Sequence, residues 1–317
     1  MTKQYPGAAL PAVNEVSLEV EPGRLVVLLG PSGCGKTTLL KMVNRLIEPT
    51  SGSIKMDGVD ILSVNAPALR RQIGYVIQQT GLFPHMRVEE NIAVVPKLLG
   101  WKKEVIHQRV DDLLDLIGLP HQDYRGRYPL QLSGGEQQRV GLARALAVNP
   151  SMMLMDEPFG ALDAITRSRL QGELLRVHQA LGQTILFVTH DIDEAVRLAD
   201  VIVVMRIGEV VQYGTPLEIV THPANDFVSE LVGGGDALRR LSLIEVESVM
   251  RQPAPDVAPN GESVHPETDL RQALDLFLRT GESTLQVTDS DGGLAGMVDV
   301  EALWDVASDQ AAQADPR

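Results

Sequence analysis

Short, mostly apolar runs recur along the first two thirds of the chain, at Leu25–Leu29, Ser151–Met155, Thr184–Thr189 and Val201–Met205. None shows strict polar–apolar alternation, the mark of a strand with one wet face; continuous apolar runs belong to parallel strands covered on both sides. Between them lie segments with a helical period. One carries Leu39, Leu40, Met42, Val43, Leu46 and Ile47 on a single stripe, and another runs from Glu136 to Ala147. Strands alternating with helices predict an α/β layer architecture.

The pattern changes after Gly233-Gly234-Gly235. A helical segment is expected over Ala237–Met250, then an exposed linker over the polar, proline-bearing stretch Arg251–His265. Leu270, Ala273, Leu274, Phe277 and Leu278 form one stripe of a helix over 269–280. Leu285–Val287 and Leu294–Val298 flank Asp289-Ser290-Asp291-Gly292-Gly293, a hairpin signal, and a last short helix covers about Val300–Val306. The tail is thus a small α+β unit. Domain boundaries are expected at residues 1–235 and 236–317, with the compact part of the tail at about 246–308.

Composition narrows the function classes. A chain of 317 residues is long enough for about two domains, each with its own core. The net charge of −14 is uneven: residues 236–317 hold 16 acids against six arginines, leaving about −4 on the rest. So acidic a chain is a poor partner for nucleic acid, whose phosphates demand a basic face. One cysteine excludes an internal disulfide framework and a multi-cysteine zinc site. No apolar run approaches the roughly 18 residues that span a bilayer, and MTKQYPGAAL lacks a secretory pattern, so a cytoplasmic location is expected.

The candidate chemistry lies in three segments. Gly30-Pro31-Ser32-Gly33-Cys34-Gly35-Lys36-Thr37 fits the phosphate-loop pattern, in the context that gives it meaning: a buried strand before it and an apolar-periodic helix after it; with Thr38 these residues are the expected nucleotide-binding run. Its glycines let backbone N–H groups turn toward phosphate oxygens at a helix N-terminus. Lys36 would neutralise the β- and γ-phosphates, and the Thr37 hydroxyl would ligate Mg²⁺. Cys34 reads as a small residue that fits the loop rather than a redox thiol. The strand ending in Asp156-Glu157 offers a second Mg²⁺ ligand in Asp156 and a general base in Glu157. Leu132-Ser133-Gly134-Gly135-Glu136 places hydroxyl and backbone donors at the start of a helix. By itself this last segment is an ordinary helix cap.

The order of these motifs resembles the nucleotide-binding subunit of an ATP-binding-cassette (ABC) transporter, over nearly all of residues 5–232. It comprises the phosphate loop, Gln78 after a strand, the signature segment Leu132–Glu136, the Asp156-Glu157 strand end, Ala161-Leu162-Asp163, and His190 in Val188-Thr189-His190-Asp191. The resemblance implies a P-loop ATPase cassette with a mixed sheet and a helical subdomain, using ATP and Mg²⁺. It implies that Gln78 touches the metal or the attacking water, that His190 bonds the γ-phosphate and orients the water with Glu157, and that Asp163 lines the contact between two copies. It also implies that Ser133, Gly134, Gly135 and Glu136 complete the site of a second subunit, so that ATP clamps a dimer which hydrolysis opens. Tyr5 looks like the family's adenine-stacking aromatic. The family's first strand normally precedes that aromatic, whereas only four residues do here.

Lys41–Thr50, Gly74–Gln79, Gly81-Leu82-Phe83-Pro84-His85-Met86 and Pro223–Val228 closely resemble the cassettes of osmoprotectant importers, which take up quaternary amines such as glycine betaine, choline or carnitine. In that family Leu82–His85 lies near the groove that receives a permease helix. The implied partners are therefore a second cassette, an integral membrane permease and, indirectly, an extracytoplasmic substrate-binding protein; the implied location is the cytoplasmic face of the membrane. Residues 246–308 resemble a single cystathionine-β-synthase-type (CBS) motif, a unit that packs in pairs, so pairing across two chains is expected. Import of another small solute, a soluble cassette ATPase, a decayed binding module and a simple kinase are the alternative readings.

Overall fold

The computed structural model describes residues 1–77, 81–160, 162–233, 236–252, 262–290 and 292–308. It divides into two compact units, Met1–Tyr213 and Gly214–Arg317.

In the first unit, β1 (Leu25–Leu29) leads through the phosphate loop into α1 (Lys36–Val43). A hairpin of β2 (Lys55–Met56) and β3 (Val59–Asp60), then α2 (Ala66–Arg70), precede β4 (Ile73–Val76). The helices α3 (Val88–Ile92), α4 (Val94–Leu98), α5 (Lys103–Leu116), α6 (His121–Tyr124) and α7 (Gly134–Leu146) come next. The chain then runs β5 (Met152–Asp156), α8 (Ala164–Leu181), β6 (Thr184–Thr189), α9 (Ile192–Leu198), β7 (Val201–Arg206) and β8 (Glu209–Gly214).

The sheet order is β4-β5-β6-β1-β7-β8, parallel from β4 to β7. Strand β8 follows β7 through Ile207-Gly208, both at positive φ, so it must return antiparallel and make the sheet mixed. All five residues of β1 are buried, as a central strand covered on both faces requires. Val26, Leu28, Leu39, Met42, Leu154, Leu186 and Val203 join in one core that fixes α1 against the sheet. Register then sets the site. Leu29 pairs with Thr189 and Asp156 with Val188, so β1, β5 and β6 end side by side. Gly30, Glu157 and His190 are the next residue on each, in the crevice at the carboxyl ends where open α/β sheets bind ligands. Separately, α3, α5, α6 and α7 pack on one another, and Arg125 bridges Glu89 (2.7 Å) and Asp111 (3.1 Å) within that helical layer.

The stripe expected to continue to Ile47 stops being helical at Val43. Arg45 takes φ 48°, and a left-handed residue ends a helix; Ile47 still packs on the core from outside it. At its other extreme, residues 2–3 form isolated bridges, Thr2 with Ser51 and Lys3 with Val13.

The second unit holds α10 (Pro216–Thr221), α11 (Asp226–Leu231), α12 (Ala237–Leu241), β9 (Ser263–Val264), α13 (Leu270–Thr280), β10 (Thr284–Thr288), β11 (Leu294–Asp299) and α14 (Val300–Ser308). Its sheet runs β11-β10-β9, antiparallel then parallel. Leu241, Val246, Leu270, Phe277, Leu285, Val287 and Leu303 close its core. The units part at Tyr213/Gly214, whereas the sequence reading ends the first domain at residue 235; α10 packs on α12, which groups it with the tail. The helix expected over Ala237–Met250 is shorter: α12 ends at Leu241, and a 3₁₀ turn at Val246–Ser248 follows. Part of the expected linker, 253–261, lies outside the described residues, but Ser263-Val264 within it pairs with Gln286-Val287 as β9.

Candidate functional site

The phosphate loop is shaped by backbone that only glycine tolerates. Gly30 (φ 155°) and Gly35 (φ 109°) lie so close to other main chain that a Cβ on either would meet a carbonyl oxygen, of Met205 at 2.3 Å and of Ala12 at 2.2 Å. Lys36 is buried, and its Nζ donates to the carbonyls of Gly30 (2.6 Å) and Pro31 (3.0 Å). The cation is thus held over the loop that precedes it. Cys34 is buried in the β1–α1 core, with its Sγ 3.8 Å from that ammonium. Ser32 and Gly33 are exposed; Thr37 and Thr38 are half-buried on the first turn of α1.

The end of β5 meets this turn. Thr37 Oγ1 donates to Asp156 Oδ1 at 2.8 Å. Burial pushes the Asp156 carboxyl up from its ordinary value, against the Thr37 hydrogen bond and the nearby Lys41 charge that pull it down. Behind it on β4, burial first and then Asp156 raise the Tyr75 phenol to about 12. A hydroxyl and a carboxylate oxygen converging beside a lysine form a hard-oxygen donor set that suits Mg²⁺. Glu157 sits at φ 44°, a left-handed position for a non-glycine residue, while its N–H still donates to Val188 O at 3.0 Å. That turn brings its carboxylate to His190, with Nδ1 and Oε2 3.3 Å apart. Gln78 and Ala161 lie outside the described residues.

Ser133 is the N-cap of α7. Its Oγ accepts from Glu136 N (3.3 Å) and Glu136 Oε2 accepts from Ser133 N (2.7 Å), a reciprocal capping box. Tyr124 donates to Glu136 Oε1 at 2.6 Å, which holds the Glu136 carboxyl below its ordinary range. Ser133 and Gly134 are exposed, and a Cβ on Gly135 would strike Thr166 Cγ2 at 2.7 Å. The partners of Ser133 are those of its own helix turn, not the phosphate loop. Asp163 caps α8, accepting from Thr166 N at 3.0 Å, and this keeps its carboxyl below the ordinary range. Tyr5 is 37% exposed, with Lys3 Nζ 5.4 Å from its ring centroid. No hydrogen bond or ring contact among the described residues joins Tyr5 to the phosphate loop.

Sequence reasoning passed over the support of His190. Thr189, Asp191 and Glu194 bond to one another around it, and Arg167 of α8 reaches into that cluster. The Asp191–Glu194 spacing at a helix start was the available signal.

The ABC transporter family model matches residues 13–160, and the CBS domain model matches residues 246–303. The carnitine transport ATP-binding protein OpuCA of Listeria monocytogenes is 47% identical over 303 residues, covering 96% of this chain and 74% of that one. The glycine betaine uptake system ATP-binding protein YehX of Escherichia coli is 49% identical over 293 residues, covering 92% and 94%. Among solved structures, the dimeric post-hydrolysis state of the ATP-binding cassette MJ0796, bound to ADP and Pi, matches with a TM-score of 0.60 at 33% identity, covering 68% of this chain and 96% of that one. The chain belongs to the ATP-binding subunits of ABC transporters, and a CBS domain follows its cassette.

Proposed function

We propose that this subunit hydrolyses ATP to drive import of a quaternary amine such as glycine betaine, carnitine or choline. The convergence of Thr37, Asp156, Glu157 and His190 at the ends of β1, β5 and β6 carries the catalytic half of that reading. Relatives named for carnitine transport and glycine betaine uptake, at 47% and 49% identity, support the substrate class.

Each residue then has a task. Backbone N–H groups from Gly30 to Thr38 receive the phosphates at the start of α1. Lys36, now held by two neutral carbonyls, gains a charge-assisted partner in a phosphate oxygen. Thr37 and Asp156, with Gln78, would hold Mg²⁺, which would supply positive charge to offset that of the phosphate oxygens. Glu157 takes a proton from water, and His190, beside it, orients that water and the γ-phosphate. Tyr5 stacks on adenine.

Ser133 points to a second chain. Its Oγ accepts an N–H from its own turn, so its hydroxyl can still donate its proton from an exposed surface whose bonds do not reach its own phosphate loop. In the proposed dimer that proton and the Gly134-Gly135 backbone meet the partner's γ-phosphate, with Glu136 fixing the cap and Asp163 at the contact. The likeness to a dimeric cassette supports this assembly. The exposed Phe83, edge-on to His85 at 6.1 Å, offers an apolar-aromatic contact for a permease helix. Asn91 holds that loop by accepting from Phe83 N and donating to the carbonyls of Phe83, Met86 and Arg87. No described helix is long and apolar enough to cross a membrane. Attachment to the cytoplasmic membrane face is proposed to run through the permease, with the binding protein engaged indirectly. Residues 1–235 are taken as the nucleotide-binding domain and about 246–308 as a single CBS motif.

The test is uptake of labelled glycine betaine, carnitine and choline by a deletion strain carrying the wild type or Glu157→Gln. Wild type restores uptake of at least one amine and the variant of none. Restoration of none by the wild type refutes the substrate class; uptake sustained by Glu157→Gln refutes the assignment of the base.

A further inference from the structure

Arg167 lies on α8, four residues after Asp163, and its guanidinium is the meeting point of three segments. Its Nη2 donates to the carbonyl of Leu162, immediately before Asp163, at 3.1 Å. Its Nη1 donates to Asp191 Oδ2, immediately after His190, at 3.2 Å. Its Nε faces Glu194 Oε1 at 3.8 Å.

Those acidic partners are themselves tied to the residues on either side of His190. Glu194 is buried, only 5% exposed, and burial raises its carboxyl from the ordinary range. Its Oε2 accepts from Thr189 Oγ1 at 2.7 Å, and Thr189 Oγ1 accepts from Asp191 N at 3.0 Å. Gln171 Nε2 donates to Glu194 Oε1 at 3.4 Å. The other direction is equally continuous. Leu162 N donates to Phe159 O and Gly160 N to Glu157 O, so two turns join Leu162 to the general base. Glu157 faces His190 at 3.3 Å, which closes a ring: Glu157, Leu162, Arg167, Asp191, His190. Glu157, Arg167, His190 and Asp191 line one small cavity.

We infer that Arg167 is a positioning residue that couples the dimer-contact loop at Leu162-Asp163 to the orientation of His190. The inference rests on the roles proposed above for Asp163 and His190. A planar guanidinium can address a carbonyl and a carboxylate at once from fixed directions, which a lysine ammonium on a flexible stem does not reproduce. When a partner chain displaces the Leu162 carbonyl, the same rigid fork must move against Asp191, and Asp191 is one peptide from His190. The ring thus makes hydrolysis in one chain sensitive to what its contact loop touches. Such coupling needs a contiguous network of packed and hydrogen-bonded groups, and every link here is within 3.8 Å.

The test uses the full chain with Arg167→Lys, Asp191→Asn and His190→Ala, measuring ATP affinity, the ATP dependence of the steady-state rate and the unfolding midpoint. Asp191→Asn is the cleaner probe, because asparagine still caps α9 through Oδ1 while losing the charge that Arg167 meets. The expected result for both Arg167→Lys and Asp191→Asn is ATP affinity within about twofold of wild type, but kcat lower by about 10- to 100-fold, the scale of a misplaced catalytic group. The rate should also lose its cooperative dependence on ATP, the Hill coefficient falling toward about 1 from a wild-type value that can approach 2 for two sites. Wild-type kcat and cooperativity in Asp191→Asn, with His190→Ala inactive, would overturn the coupling alone. An active His190→Ala would overturn the reading on which it rests. Parallel loss of ATP affinity and unfolding midpoint in both ring variants would reduce Arg167 to a structural brace and also overturn the inference.

Discussion

Gly33 and Gly35 are two residues apart in the phosphate loop, both at positive φ, yet alanine should affect them very differently. A Cβ on Gly33 (φ 80°) meets nothing within 4 Å, so the cost of Gly33→Ala is the left-handed backbone alone, about 1–2 kcal/mol. A Cβ on Gly35 (φ 109°) would stand 2.2 Å from Ala12 O, with Ala12 C at 3.4 Å and Val13 Cγ2 at 3.5 Å. Contacts under 3.0 Å are essentially never formed by real Cβ atoms, so main chain on one side must retreat by at least about 0.8 Å. Val13 is wholly buried, and the obstacle is a carbonyl rather than the free end of a side chain. Overpacking of this kind adds about 1–3 kcal/mol to the backbone term, giving about 2–5 kcal/mol in total for Gly35→Ala. The assay is urea unfolding without nucleotide, followed by Trp101 fluorescence in a Trp304→Phe background so that the signal reports the cassette. Gly35→Ala should also bind ATP about 10- to 100-fold more weakly, since the loop N–H groups move with the backbone. A Gly33→Ala loss equal to or larger than that of Gly35→Ala, or a Gly35→Ala protein within about 0.5 kcal/mol of wild type, would refute the packing argument.

Mixing Ser133→Ala and Lys36→Ala chains, each inactive alone, should restore about half of the two-site activity per mixed dimer, because one site then joins an intact phosphate loop to an intact Ser133. Mixtures as inactive as the separate proteins would mean that each chain builds its own site. Asp156 predicts a pH effect with a definite sign. Burial raises its folded-state pKa above the unfolded value, so its contribution to stability is full at low pH and is lost as pH rises through the elevated pKa. Asp156→Asn should therefore raise the unfolding midpoint of the nucleotide-free protein more at pH 8 than at about pH 4, near the ordinary carboxylate value, while abolishing Mg²⁺-dependent hydrolysis. A variant less stable than wild type at both pH values would show that the carboxylate is not the burdened group.

The parts of the site that were legible in the sequence are those whose chemistry is local. Gly30 to Thr37 is a run in which close backbone approach, a helix start and a lysine all fall within eight residues, so spacing alone reports the geometry. Ser133 and Glu136 cap one turn at N-cap and N3, again a local rule. The strands β1, β5, β6 and β7 were visible because buried parallel strands are continuous apolar runs. By contrast β2, β3 and β9 have two residues each and cannot display a period. The end of α1 is hidden in the sequence because Leu46 and Ile47 keep the helical stripe while Arg45 turns left-handed, a conformation that arginine's identity does not advertise.

Arg167 and Glu194 were illegible for a different reason. Charged residues on periodic segments read as a solvated face, and apart from the Asp191–Glu194 spacing at the start of α9 nothing within their own helices marks the exception. Their meaning comes largely from pairings 23 and 24 residues apart, Gln171 with Glu194 and Arg167 with Asp191, made only when β5 and β6 lie side by side in the sheet and α8 packs on α9. The proposed base and its imidazole neighbour need this second layer, because Glu157 and His190 sit in loops after strand ends, where the sheet no longer dictates direction. A carboxylate and an imidazole at such positions keep a 3.3 Å separation only if hydrogen bonds replace the lost ladder. Thr189, Asp191, Glu194 and Arg167 supply those bonds. The burial of Glu194 therefore has a use that its cost to stability alone would not suggest: with little freedom of its own, it holds Thr189 and, through it, the peptide that carries His190.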